Sequence, residues 1–455
     1  MKKLITLQQE QTGLWSEPDL IELDRSSSQI LMDRALLPKT ARQILFGRGV
    51  GAGHIAKAVT KMPSGALVVV GASSSKAPTI QAVLERLTQS TTRAHIFQVQ
   101  GRADHQAILD GIEFLHKIQA RQVIVIGGGT TLDVGKAIAG LAAQEGGTEV
   151  AAYQRGEKTI NPEKALPWIA VPTTSGTGSE STNNAVIELG EEKRSIRNIP
   201  PPALIIADPG FTDSLPLSAT IIALVDAVAQ SLEIITNEAA KPEIQAVAMA
   251  AFLNLAQGLT TLSSGEENIP QSPSADTDPT TPGVAISRQV RDALSWGSLL
   301  MGIALAHAGL ALPHALVHFC KKFGLSHGHM VGLLLSPGLQ VQAEHDPPTA
   351  RRLAEVQKVL TGSFEGKTTL PISFKDEKSA PPRPKANQLL SCLEESITGL
   401  FAQVGLPTSL KQAGLNPADL DWIAAQEYTL GASFAIPRRR ATMDELRTIL
   451  QGAWS

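Results

Sequence analysis

Hydrophobic and polar positions follow two different rhythms along the chain. In the first half the apolar residues come in short, dense runs. Ala66-Leu67-Val68-Val69-Val70-Gly71 is rich in β-branched residues and ends in glycine, the pattern of a strand buried on both faces. Ala94–Val99 and residues 122–126 and 167–171 predict further strands of this kind. Between them, residues 80–87 predict a helix. Ile108, Ile112, Leu115 and Ile118 recur at helical spacing across residues 105–119. Such alternation predicts a parallel sheet covered by helices.

After about Asp208 the rhythm changes. Residues 221–235, 242–259, 288–307, 314–323, 388–404 and 443–451 carry apolar positions three or four apart, the spacing of one helix face. The pattern therefore predicts an α/β N-terminal domain, residues 1–209, and an all-helical C-terminal domain, residues 210–455. An active site would be expected in the cleft between two such domains. Residues 263–283 are rich in Ser, Pro, Thr and Asp, and residues 368–385 in Pro and Lys. Both are expected to be surface insertions, because neither can bury much apolar area. No internal repeat is visible, and 455 residues suit two or three domains.

Composition sharpens this picture. The chain is 43% hydrophobic and 18% charged, as in a soluble globular enzyme. Aromatics are only 4%, so the core must be built from Ala, Leu, Ile and Val. A net charge of −3, with no basic stretch interleaved with aromatics, argues against a nucleic-acid partner. Cys320 and Cys392 are too few for a disulfide framework and suggest a reducing compartment, the cytoplasm. The start Met1-Lys2-Lys3 is basic, but no apolar segment of a signal peptide follows it. The most apolar long stretch, residues 299–319, is interrupted by His307, Pro313, His314 and His318. That suits a buried functional helix better than a membrane span.

Three constellations carry chemistry. Gly127-Gly128-Gly129-Thr130-Thr131-Leu132-Asp133-Val134-Gly135-Lys136 follows a predicted strand and opens a helix. Its glycines would let backbone N–H groups approach a pyrophosphate, aided by the positive end of the helix dipole. Thr130 and Asp133 also have capping-box spacing, and a tight turn without ligand remains an alternative. Pro172-Thr173-Thr174-Ser175-Gly176-Thr177-Gly178-Ser179-Glu180 packs five hydroxyls and two glycines into nine residues. It suits ribose, phosphate or carboxamide, or else is a polar surface turn. Asp226 and Gln230 lie four apart on one predicted helix, and so do His314 and His318; His327 follows. A carboxylate and imidazoles with open positions suit a catalytic Fe²⁺ or Zn²⁺. Hydrogen-bonded core histidines are the plainer reading.

Taken together, these motifs resemble the iron-containing alcohol dehydrogenase family. The resemblance runs from about Ile44 to the C-terminus. It rests on GGGTTLDVGK at 127–136, PTTSGTGSE at 172–180, ALIIADPGFTDSLP at 203–216, AGLALPHALVH at 308–318 and the arginine-containing tail at 435–451. It implies a dehydroquinate synthase-like fold and an NAD(P)-dependent, metal-assisted alcohol dehydrogenase or aldehyde reductase. A small alcohol or aldehyde would be the substrate, and a homodimer the assembly. The nicotinamide cofactor would lie against Gly127, Gly128, Gly129, Thr130, Asp133, Thr173, Thr174, Ser175 and Thr177. The family's metal positions fall on Asp226, Gln230, His314 and His327, and a proton-relaying position falls on His318.

Two departures stand out. Gln230 occupies a position where the family has histidine, and an amide oxygen binds Fe²⁺ or Zn²⁺ more weakly. Three ligands could suffice, as in glycerol dehydrogenase relatives. Alternatively, His307 or His329 could compensate, or the metal could be lost and the protein become a nucleotide-binding one. Second, the turn after residue 70, Gly71-Ala72-Ser73-Ser74-Ser75-Lys76, lacks the carboxylate that favours a ribose 2′-hydroxyl. Ser73 and Lys76 there predict a preference for NADP(H) over NAD(H). A dehydroquinate synthase-type lyase is a further alternative, which the PTTSGTGSE loop disfavours.

Overall fold

The computed structural model describes residues 21–24, 29–33, 35–61, 65–90, 93–190, 192–264, 286–364, 383–431 and 440–455. The first twenty residues, with the basic start on which the signal-peptide expectation rests, lie outside it. So do residues 435–439 of the tail and most of the two expected insertions. Of those insertions, Ser263 and Ser264 close one helix and residues 383–385 open another. The chain divides into two units, one ending at Leu215 and one running from Pro216 to Ser455.

The first unit is built in order from β1 (Ile21–Asp24), β2 (Gln29–Met32), β3 (Gln43–Phe46), α1 (Gly51–Lys61) and β4 (Ala66–Gly71). Then come α2 (Pro78–Ser90), β5 (Ala94–Val99), α3 (His105–Lys117), β6 (Val123–Gly127) and α4 (Gly129–Leu141). α5 (Val150–Gln154), β7 (Trp168–Pro172), β8 (Ala185–Leu189), β9 (Glu192–Ile196) and β10 (Leu204–Ala207) complete it. Eight strands form one sheet in the order β1-β2-β3-β10-β7-β6-β4-β5. From β3 to β5 every pairing is parallel, as the alternating pattern predicts. β1 and β2 add an antiparallel edge, and β8–β9 form a separate hairpin. Neither was legible from the apolar runs.

Every residue of β4, β6 and β7 is buried, so the two-residue period of a strand serves two covered faces. Val68, Val70, Ile124, Ile126, Ile169, Val171 and Ile206 pack with Ile55 and Val59 of α1 and Ile80, Val83 and Leu87 of α2. Val125 points the other way, against Gly135 of α4, where any Cβ would collide with it. Each such buried aliphatic side chain stabilises the unit by about 1.5–3 kcal/mol relative to exposure. Because β4, β6 and β7 are parallel neighbours, the loops leaving their C-terminal ends lie side by side. In open α/β sheets that edge is where ligands bind.

The second unit is helical. Its elements are α6 (Leu217–Thr236), α7 (Pro242–Ser264), α8 (Arg288–Leu305), α9 (Leu312–Ala315) and α10 (His327–His345), then α11 (Pro347–Phe364), α12 (Arg383–Gln403), α13 (Pro417–Leu430) and α14 (Met443–Trp454). α6 and α7 are long and apolar enough to cross a membrane, but most of each is buried within the unit, as in core helices. Small residues set the closest approaches. A Cβ on Gly328 of α10 would meet the Ile222 carbonyl of α6 at 2.5 Å and Asp226 Cβ at 3.1 Å.

The continuous helix expected over 314–323 is not formed. α9 ends at Ala315, and a single 3₁₀ turn, Cys320–Phe323, follows and stops at Gly324 with φ 70°. The cause is local. The His318 N–H, which would continue the helix by bonding to residue 314, donates to the Glu427 carboxylate instead (2.9 Å). Pro313 follows Leu312 in the first turn of α9, where its missing N–H costs nothing.

Candidate active site

In the first unit the two glycine- and hydroxyl-rich motifs meet. Gly127 ends β6, and Gly128, in extended conformation, is the N-cap of α4 without any side-chain cap. The first backbone N–H groups of α4 therefore lack the side-chain acceptor that usually satisfies one of them. The capping-box expectation for Thr130 and Asp133 is corrected here: the N-cap is Gly128, so Thr130 lies within the first turn, and the Asp133 oxygens turn to other groups. A Cβ on Gly128 would lie 3.0 Å from Thr174, and one on Gly129 would lie 2.7 Å from Thr177. The glycines thus make room for the hydroxyl loop as well as for any ligand. Ser74 and Thr173 share a hydrogen bond (3.0 Å) that ties the third loop to these two.

Asp133 and Lys136 form the anchor beneath the loop. Asp133 accepts from Ser179 Oγ (2.5 Å) and from the Val186 N–H (3.1 Å), and lies 3.1 Å from the buried Lys136 ammonium. Lys136 Nζ donates to the Ser179 carbonyl (2.8 Å) and to Thr182 Oγ1 (3.0 Å). Gly178, at φ 61°, supplies the left-handed turn that brings Ser179 back to them. Asp133, expected among the cofactor contacts, has both oxygens engaged by protein groups. It fastens the loop rather than facing a ligand. Burial pushes the Lys136 ammonium down from the usual lysine range, against the pull of Asp133. Burial also pushes the Glu180 carboxyl up to about 7, although its backbone hydrogen bond and Lys136 oppose the shift. Of the remaining expected contacts, Thr173 and Ser175 are buried, Thr174 is half-buried, and Thr177, Ser73 and Lys76 are exposed.

In the second unit Asp226, His314 and His327 converge. One ligand atom from each lies within 4.8 Å of the others. His314 Nε2 is 3.1 Å from Asp226 Oδ1, and His327 Nε2 is 3.8 Å from the same oxygen. Three elements deliver them: α6 carries Asp226, α9 carries His314, and His327 opens α10 beside Gly328. Gln230, one turn beyond Asp226, is buried and hydrogen-bonded to it, yet Gln230 Oε1 has no hydrogen-bond partner. An orphaned buried acceptor costs about 1–3 kcal/mol unless something meets it.

Charge is concentrated here. Burial alone would raise the Asp226 carboxyl, but the hydrogen bond from His314 and the neighbouring imidazoles bring it below the ordinary carboxylate range. Burial alone would lower His314. The Glu233 charge and the bonds to Asp226 and Glu233 instead push it up to about 10. A carboxylate, two imidazoles and an unmatched amide oxygen are a donor set that fits a divalent metal.

The other histidines are engaged elsewhere. His318 lies outside the helix of His314, and its Nδ1–H donates to Glu427 Oε2 (2.7 Å). The shared helical face expected for His314 and His318 is therefore absent. His329, one candidate to compensate for Gln230, donates from Nε2 to the Pro407 carbonyl (2.7 Å), packs edge-on to Phe401, and is held by burial below the usual histidine range. His307 Nδ1–H donates to the Ile303 carbonyl (2.9 Å). The residues that sequence reasoning missed are Glu233 and Glu427, both fully buried carboxylates bonded to a histidine. An acidic residue inside an apolar helix was the available signal.

The profile of iron-containing alcohol dehydrogenases matches residues 41–209, and that of the C-terminal part of Fe-containing alcohol dehydrogenases matches residues 285–454. The chain belongs to the iron-containing alcohol dehydrogenase family. Membership makes it an oxidoreductase with a dehydroquinate synthase-like fold. Among relatives, long-chain-alcohol dehydrogenase 1 of Geobacillus thermodenitrificans is 29% identical over 339 residues, 73% of this chain and 75% of its own length. The 1,3-propanediol dehydrogenase of Klebsiella pneumoniae is 25% identical over 81% of this chain and 86% of its own. In fold, the chain is similar to an NADH-dependent butanol dehydrogenase A of Thermotoga maritima. That structure has a TM-score of 0.70 and 22% identity, covering 92% of this chain and 97% of the other.

Proposed function

We propose that this iron-containing alcohol dehydrogenase family member interconverts small aldehydes and primary alcohols with a nicotinamide cofactor and a divalent metal. The metal would be held by Asp226, His314 and His327, with Gln230 Oε1 as a fourth contact. The observation that carries this reading is the convergence of a buried carboxylate, a buried imidazole and a half-buried imidazole beside an amide oxygen without a donor. Fe²⁺ or Zn²⁺ suits such a mixture. When bound, the ion supplies Lewis-acid polarisation of a carbonyl oxygen, and the nicotinamide supplies the hydride.

The protein's own groups do the rest. Uncapped N–H groups at the start of α4 suit a pyrophosphate. Thr174 and Thr177, packed against Gly128 and Gly129, offer hydroxyls around it. His318, half-buried and held through Nδ1 by Glu427, would exchange the substrate's proton with solvent. Exposed Ser73 and Lys76, in a turn without a carboxylate, favour a 2′-phosphate. The cofactor preference is thus for NADP(H), although the Thermotoga relative is named for NADH.

The test is oxidation of NADPH and NADH by the full-length protein against a panel of aldehydes and ketones, in Fe²⁺, in Zn²⁺ and after chelation. Metal-dependent turnover, faster with NADPH, is the expected result. A folded protein that binds nucleotide but turns over nothing with either metal would contradict the reading. It would mark Gln230 as the sign of a lost activity.

A further inference from the structure

Glu233 has no exposed surface, and the mechanism above gives it no task. It lies seven residues after Asp226 and three after Gln230 on α6, so all three share one helix face. Its Oε1 accepts from His314 Nδ1 (2.5 Å), and its Oε2 accepts from the Ala311 N–H (2.6 Å). Ala311 is the N-cap of α9, the four-residue helix that carries His314. One carboxylate therefore grips both the entry of that helix and the imidazole it delivers. A helix of one turn is too short to fix a side chain by its own stability, so an outside anchor is required.

An ionised carboxylate can only accept hydrogen bonds. The Glu233 bond therefore keeps a proton on His314 Nδ1 and turns Nε2 toward Asp226, 3.1 Å away. We infer that Glu233 is a positioning residue of the metal centre: it fixes His314 in the Nδ1–H tautomer, aims Nε2 at the ion and strengthens that nitrogen as a ligand. The inference rests on the metal-site reading above. It also gives Gln230 a context, since a better imidazole donor at 314 offsets a weaker amide donor at 230. Carboxylates behind metal-bound histidines act in this way, and their loss typically weakens metal binding 10–100-fold.

The test is Zn²⁺ affinity, by competition with a chromophoric chelator, for the full-length protein and its Glu233→Gln and His314→Ala variants. Glu233→Gln keeps the size and removes the charge; it should weaken binding about 10–100-fold. Unchanged affinity in a folded Glu233→Gln protein would overturn the inference while leaving the metal site standing. Unchanged affinity in His314→Ala would sink the metal-site reading itself. Should Glu233→Gln not fold, ¹⁵N-histidine NMR of the Zn²⁺-loaded wild type decides. A proton on His314 Nδ1 supports the role, and a proton on Nε2 refutes it.

Discussion

The two units each bury a polar cluster, and the clusters differ in how completely they are satisfied. Around Asp133 and Lys136, the carboxylate oxygens and the ammonium meet hydroxyls, a carbonyl and an N–H at 2.5–3.1 Å. Around Asp226, one carboxylate oxygen faces two imidazoles, and the neighbouring amide oxygen meets nothing. A closed network holds a loop in shape. An open one, as expensive to bury and left incomplete, is built for a group that completes it. The comparison assigns anchoring to the first cluster and binding to the second, and it can be broken at either end.

The largest effect is expected at His314. His314→Ala should abolish metal retention and metal-dependent turnover while leaving nucleotide binding intact, as checked by metal analysis and nucleotide titration. Turnover at the wild-type rate would remove the metal from the account. Next, Lys136→Met strands Asp133 without its buried cation. Breaking such a pair costs about 3–5 kcal/mol, so the variant should denature at markedly lower urea and bind nucleotide poorly. A change below about 1 kcal/mol would mean that the anchor holds nothing.

Glu180 gives a pH signature beside that anchor. Its folded pKa of about 7 lies above the ordinary value of 4.5, so the native state holds a proton that the unfolded chain has lost. The stabilisation is complete below pH 4.5 and disappears as pH rises through 7, by up to about 3 kcal/mol. Glu180→Gln should flatten that slope in denaturation between pH 4.5 and about 7; an unaltered slope would refute it. Smaller still, Gln230→Leu removes the orphaned acceptor. The metal-free protein should gain about 1 kcal/mol and bind metal more weakly. Weaker binding without any gain would show that Oε1 finds a partner in the absence of metal. Smallest in stability terms, Lys76→Glu should raise KM for NADPH selectively; equal loss with NADH would misplace the 2′-phosphate.

Legibility in the sequence followed the physics of each region. β4, β6 and β7 were visible because both faces are buried, which writes a continuous apolar run. α6 was visible because its apolar positions recur three or four apart, and Asp226 and Gln230 stood out on it at a one-turn spacing. β1 and β2 gave no comparable run. α10 escaped because it is buried on most sides and contains Gly328, Gly332, Pro337 and Gly338, so neither an amphipathic period nor the usual absence of breakers marks it. The break after α9 could not be read locally. It depends on Glu427, more than a hundred residues away. Glu233 was missed because its partner lies across the unit, although it continues the Asp226–Gln230 face.

The central claim, that the open cluster is a metal site, is tested most directly by equilibrium binding of Zn²⁺ and, anaerobically, Fe²⁺ to the chelated full-length protein, in parallel with Asp226→Asn. The account predicts one tightly bound ion per chain in the wild type and its loss in the variant. No tight binding by the wild type, or equal binding by both proteins, would contradict it.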